Sequence, residues 1–321
     1  MTIIRPRVRP AVRAVVALFL GLAPAVAACA PAAPVPAGPE PAAGPVLPPA
    51  VFDDPDWVLL VRPAALRDES VFAALLGGLD LAGAFDAFLA DHGLDAAALG
   101  WVRVESAGGA TVFVVAAAAA SGFARALGSV GEGSRPVPAA ESPVAARPSW
   151  SVATDGAWGV VRRETAGVPA SPRSGDPAGA DLARLRRRVE AAEVVFLRRR
   201  PPSVRAELDP TGLLAETRAV GCVAAGESAE ALRLGCVLFG PAGDRLSTQS
   251  LRRLQTTVFD STLGTILNLE GAAREVRFDP EPGAGYLEAV LDVAKLLPGL
   301  RVLAAVPLAH ILESAAPPAG P

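Results

Sequence analysis

Residues 57–63 read Trp57-Val58-Leu59-Leu60-Val61-Arg62-Pro63, a wholly apolar run closed by Arg-Pro and preceded by Asp53, Asp54, Pro55 and Asp56. A short run that is apolar at every position and fenced by turn residues predicts a strand buried on both faces. The same figure returns at Val194-Val195-Phe196-Leu197, followed by Arg198-Arg199-Arg200-Pro201. Two copies of one buried strand predict a body of two similar halves, residues 51–167 and 180–313. The stretch 168–179, rich in Pro, Gly and Ser, is the expected joint.

Working outward from the first copy, 70–91 carries Phe72, Leu75, Leu76, Leu79, Phe85, Phe88 and Leu89 at helical spacing. Two helical pieces are expected, interrupted at Gly77-Gly78 and closing on His92-Gly93, with Gly93 as a left-handed cap. Strands at 101–105 and 111–117 flank Ala107-Gly108-Gly109, and Ser121 or Gly122 opens a short helix through Leu127. After a Pro/Gly/Ser loop over 131–148, Asp155-Gly156 predicts a two-residue hairpin turn within 150–161.

The second copy has similar surroundings. A helix from Asp181 with Leu182, Leu185 and Val189 on its apolar face precedes it, and a hairpin over 218–225 and 232–239 follows. The expected continuation is a long helix over 247–269, bearing Leu251, Leu254, Val258, Leu263, Ile266 and Leu267. A short strand at 274–278, a helix over 286–297, an apolar tail over 300–312 and a loose end at 314–321 complete the chain. Strand, helix, hairpin and helix, used twice, define an α+β fold of mainly antiparallel sheet with helices packed on it.

The 321 residues are 51% hydrophobic but only 5% aromatic, so the core must rest on Leu, Val and Phe. The two histidines, His92 and His310, are far apart, which argues against a Ser-His-Asp apparatus or a histidine metal site. There is no G-x-S-x-G, H-E-x-x-H, C-x-x-C or P-loop, and Gly131-Glu132-Gly133 lacks the third glycine and preceding strand of a dinucleotide fingerprint. The acid groups Asp53/Asp54/Asp56 and Asp279/Glu281 sit at strand ends beside prolines, where turn chemistry accounts for them. The expectation is a protein without catalysis, metal or cofactor.

The amino terminus carries Arg5, Arg7, Arg9 and Arg13 with no acid, then an apolar stretch over 14–28 broken only by Pro24. This is the order of a signal peptide, too short for a spanning helix. It ends Val26-Ala27-Ala28-Cys29, and here the chain resembles a bacterial lipoprotein, whose lipobox is an aliphatic residue, two small residues and a cysteine. The resemblance covers residues 1–29. It implies cleavage between Ala28 and Cys29 after diacylglycerol is attached to the thiol, and further acylation of the new amino group. The alternative is a secreted protein cut after Ala25-Val26-Ala27.

Removing residues 1–28 takes away four arginines and no acids, moving the formal charge from −3 to −7. An acidic mature chain argues against nucleic acid as a partner. Anchoring would rest on the acyl chains at Cys29. Ala30 follows the lipobox cysteine where aspartate retains enteric lipoproteins in the inner membrane, so the expected site is the outer membrane, facing the periplasm. Residues 29–50 then read as the lipidated cysteine and a Pro/Ala tether. With eight prolines among residues 30–50, it is able to reach roughly 60 Å as polyproline II at about 3.1 Å per residue.

Three further sets of residues stand out. A hairpin turning about Ala229 places Cys222 opposite Cys236, as a disulfide or as two buried thiols. Arg184, Arg186, Arg187 and Arg188, with Arg198, Arg199 and Arg200, form a basic concentration. It reads either as a solvated face offset by Glu190 and Glu193 or as a contact for an acidic partner or lipid phosphate. Thr257, Ser261, Thr265 and Asn268 make a polar stripe that lines a groove or bonds to carbonyls four residues back. The functional expectation is a membrane-anchored envelope lipoprotein that binds another envelope protein or assembly. The alternatives are a carrier of an apolar ligand in a groove between sheet and helix, and a carboxylate-dependent hydrolase.

Overall fold

The computed structural model describes residues 47–68, 70–80, 82–108, 110–131, 150–163, 178–188, 192–199, 213, 217–240, 247–281 and 283–305. The apolar run is β1 (Trp57–Val61) and its counterpart is β6 (Val194–Arg199). The other strands are β2 (Val102–Ala107), β3 (Ala110–Ala116), β4 (Trp150–Asp155), β5 (Trp158–Arg163), β7 (Ala219–Ser228), β8 (Ala231–Phe239), β9 (Ala273–Glu281) and β10 (Ala284–Asp292). They form one sheet of ten strands in the order β4-β5-β3-β2-β1-β6-β7-β8-β10-β9, antiparallel at every pairing.

The two apolar runs are neighbours at the middle of this sheet, with Leu59 opposite Phe196. A central strand covered on both faces has no solvent side, and this is why neither run alternates. A single row of register partners crosses the whole sheet: Val152, Val161, Phe113, Val104, Leu59, Phe196, Cys222, Cys236, Leu287 and Phe278. It lies on the front face, under most of the helices.

Those helices are α1 (Pro63–Asp68), α2 (Ser70–Gly78), α3 (Ala82–Asp91), α4 (Ala96–Leu99) and α5 (Ala117–Gly131), with α7 (Thr248–Phe259), α8 (Thr262–Leu267), α9 (Leu269–Ala272) and α10 (Val293–Ala305). One apolar cluster joins Phe72, Leu75 and Leu99 of the first group to Leu251, Leu267 and Leu296 of the second. The α+β class with a mainly antiparallel sheet is therefore observed, and sheet and core run without a break across the expected joint. On the back face lies α6 (Gly179–Arg188), its Leu182 and Leu185 packed on Val195, Leu197, Val223 and Val237.

Besides the short helices α1 and α4, which the sequence did not announce, the elements depart from expectation in several places. Residues 286–292 are strand, not helix: Gly283, at φ 73°, turns the chain so that Ala284 faces Glu281, and α10 starts only at Val293. The long helix over 247–269 is three pieces. Asp260 caps α7, Ser261 is extended and accepts from the Gly264 N–H to start α8, and Asn268 turns left-handed at φ 53°. The helix after β3 begins at Ala117 rather than at Ser121 or Gly122. The β4–β5 turn is at Gly156-Ala157, one residue beyond the expected place, because Asp155 pairs with Trp158. Finally, the packed body reaches back into the expected tether, with Pro48 and Ala50 buried.

Candidate functional site

Buried polar chemistry gathers on the back face. In β2 the side chains of Arg103 and Glu105 point to that face and are 1% and 0% exposed. Glu105 Oε1 accepts from Arg103 Nε at 2.6 Å and pairs with Nη2 at 2.6 Å. Its Oε2 accepts the backbone N–H of Val51 at 2.9 Å and of Phe52 at 3.0 Å, while Arg103 Nη1 donates to the Pro48 carbonyl at 3.3 Å. Val51 and Phe52 pack on Val112, Val114 and Val160. An ion pair taken out of water is tolerable only where its remaining sites are hydrogen-bonded, and here the backbone of residues 48–52 supplies those bonds. Residues 47–52 thus form a strap without regular secondary structure on the back of the sheet.

The second polar array joins two residue sets that the sequence left apart. Arg184 donates from Nη2 to Glu281 at 2.7 Å and from Nε to the Tyr286 hydroxyl. Arg188 donates to Asp279 at 2.6 Å, pairs with Glu281, and stacks 3.5 Å from the Tyr286 ring centroid. Asp279 and Glu281 are therefore counterions of α6, rather than turn residues alone. The other acid group behaves alike: Asp54 pairs with Arg199 at 2.8 Å, and Asp56 caps the β2–β3 turn by accepting from Gly108 N–H. Burial pushes the Arg198 guanidinium below its ordinary value, with the Asp56 charge opposing. Burial likewise lowers Arg186, which lies over the Trp101 ring, and Glu193 opposes it. Glu193 itself pairs with Arg62. Arg187 is exposed on the outer side of α6.

Cys222 and Cys236 are register partners in β7 and β8 and form a disulfide. The polar residues expected as a stripe on one helix are divided: Thr257 donates to the Arg253 carbonyl within α7, Ser261 caps α8, and Asn268 ends it. Ala28, Cys29, Glu190, Arg200 and His310 lie outside the described residues. Among the described residues no three His, Cys, Asp or Glu side chains are grouped to hold a metal ion, and no helix is long and apolar enough to cross a membrane. A pocket between Arg188, Val237, Arg277, Tyr286 and Glu288 has about 30 Å³ of space, room for water rather than for an acyl chain.

Arg103 and Glu105 were the residues that sequence reasoning missed. Their signal was a charged pair two apart in a strand, which places both on one face. Charge on one face of a strand ordinarily marks the solvent side, and only the strap makes this face an interior. Compared with known protein families, with curated proteins and with solved structures, the chain matches none.

Proposed function

We propose that the protein is a membrane-anchored envelope lipoprotein that binds another envelope protein or assembly and has no catalysis of its own. The carrying observation is Val26-Ala27-Ala28-Cys29 at the end of an arginine-led apolar stretch, followed at once by a Pro/Ala segment. Of the acids Asp53, Asp54, Asp56, Asp279 and Glu281 that a hydrolase reading would use, Asp54 is engaged by Arg199, Asp56 by the Gly108 N–H, Asp279 by Arg188 and Glu281 by Arg184 and Arg188.

The body is further read as two equivalent halves. Outward from β1 the neighbours are β2, β3, β5, β4, and outward from β6 they are β7, β8, β10, β9. An approximate two-fold axis between Leu59 and Phe196 relates the two series, matching Val104 with Cys222, Phe113 with Cys236 and Arg103 with Gly221.

Mass spectrometry of the mature amino-terminal peptide tests the anchor. A diacylglyceryl thioether at Cys29 is expected, and an unmodified terminus generated upstream overturns the reading. Cys29→Ser should release the body from membranes. Crosslinking in intact envelopes should then capture a discrete partner that the released variant no longer reaches.

A further inference from the structure

We propose that the back face of β1, β2, β3 and β5 is a receptor groove for a peptide segment, which the chain's own residues 47–52 occupy as a separable ligand. The inference is independent of lipidation at Cys29.

The groove reads main chain. One carboxylate oxygen of Glu105 takes two successive N–H groups, those of Val51 and Phe52. The Arg103 guanidinium takes a carbonyl three residues earlier, at Pro48. Side-chain selection is added by Val112, Val114 and Val160 beneath Val51 and Phe52. Pro48 and Pro49 have no N–H to satisfy, and Pro48 lies in the groove with its carbonyl on Arg103. The occupant class is therefore a peptide with prolines followed by two apolar residues whose successive N–H groups both turn onto one carboxylate oxygen.

The second half shows what a cover without such recognition requires. There α6 precedes β6 as the strap precedes β1, on the same face. A helix satisfies its own backbone, so the sheet needs only room, and Gly221 supplies it: a Cβ there would lie 2.3 Å from Leu185 Cδ1. At the matching place the first half has Arg103. A buried ion pair is unnecessary for a greasy cover, but it is what an unpaired peptide backbone needs.

Insertion of a protease recognition sequence between Asp53 and Asp54, both exposed, in the full chain gives the test. After cutting, the amino-terminal fragment should co-elute with the body and exchange with a synthetic peptide of sequence Leu-Pro-Pro-Ala-Val-Phe. Immediate separation overturns the proposal. Arg103→Met with Glu105→Leu keeps the face apolar, and release should be at least about tenfold faster; unchanged retention overturns the main-chain reading. In the uncut chain, hydrogen exchange at the Val51 and Phe52 amides should rise at least about tenfold in Glu105→Gln. The β7–β8 amides should be unaffected, and no difference at Val51 and Phe52 overturns the proposal without recourse to the insertion.

Discussion

The β2–β3 hairpin and the β7–β8 hairpin occupy the same place relative to the centre of the sheet, and they differ on both faces. On the front, Val104 faces Phe113 in one and a disulfide joins Cys222 to Cys236 in the other. Phe113 is further packed edge-on by Trp150 and against Phe123. On the back, Arg103 and Glu105 in one stand where Gly221 and Val223 stand in the other. The back-face difference follows from the cover. A helix arrives with its backbone bonds made, whereas a strap without regular secondary structure arrives with N–H and C=O groups that need partners. At these two hairpins the polarity of the buried back face follows the secondary structure of what lies on it.

The largest expected effect comes from breaking the polar side of that contrast. Glu105→Ala removes the acceptor of two strap amides and leaves the Arg103 charge buried, for a loss of about 3–5 kcal/mol in denaturant unfolding. Val223→Ala, at the matching position, should cost about 2 kcal/mol. Equal losses would mean that the strap is no more demanding a cover than α6. Next comes the disulfide, whose loop of about 15 residues should contribute roughly 3 kcal/mol. Reduction, or Cys222→Ala with Cys236→Ala, should lower the unfolding midpoint accordingly, and an unshifted midpoint would place the two hairpins' front faces on an equal footing.

Smaller again is Gly221→Ala, which drives a methyl into Leu185 and should cost about 1–3 kcal/mol. Combined with Leu185→Ala, the two losses should be less than additive, because the second change vacates the space that the first invades. Additive losses would show that room for Leu185 is not what Gly221 provides.

What the sequence made legible followed local rules. The two apolar runs read as buried strands because nothing polar interrupts them, and the register of Cys222 with Cys236 follows from the turn near Ala229. The failures came where a local pattern served two structures. Leu287, Val290, Leu291 and Ala294 fall at helical spacing, yet from Leu287 to Asp292 buried and half-buried residues alternate, the period of a strand, and the apolar residues only mimic the helical one. Arg184 and Arg188 read as a solvated face because their counterions Glu281 and Asp279 are 97 and 91 residues away in sequence. Residues 47–50 of the strap read as tether because their composition is that of the tether. Their burial depends on Arg103 and Glu105, which themselves look exposed until the strap is in place.

Helices α5 and α10 also start differently, and pH separates them. Helix α5 follows β3 with no acid in its first turn, the Ala117 N–H bonding to the Ala157 carbonyl. Helix α10 follows β10 through Asp292, whose carboxylate accepts from Arg274 at 2.8 Å and from the Lys295 N–H at 3.3 Å. The Arg274 hydrogen bond is the main cause holding the Asp292 carboxyl below the usual range. The Lys295 and Ala294 N–H groups and the Arg274 charge add to it, while desolvation opposes. A carboxyl depressed in the folded state stabilises fully above its unfolded pKa of about 3.9 and loses that contribution as pH falls through the lower folded value. Because the pair is near solvent, this is the smallest of the four effects. Acidification from about pH 5 to pH 2 should raise hydrogen exchange in the first turn of α10 more than in that of α5. Asp292→Asn, which keeps an acceptor at the helix start, should remove the pH-dependent part of the difference. If the variant and the parent respond alike to acid, the charge on Asp292 is not what fastens α10 to the end of β10.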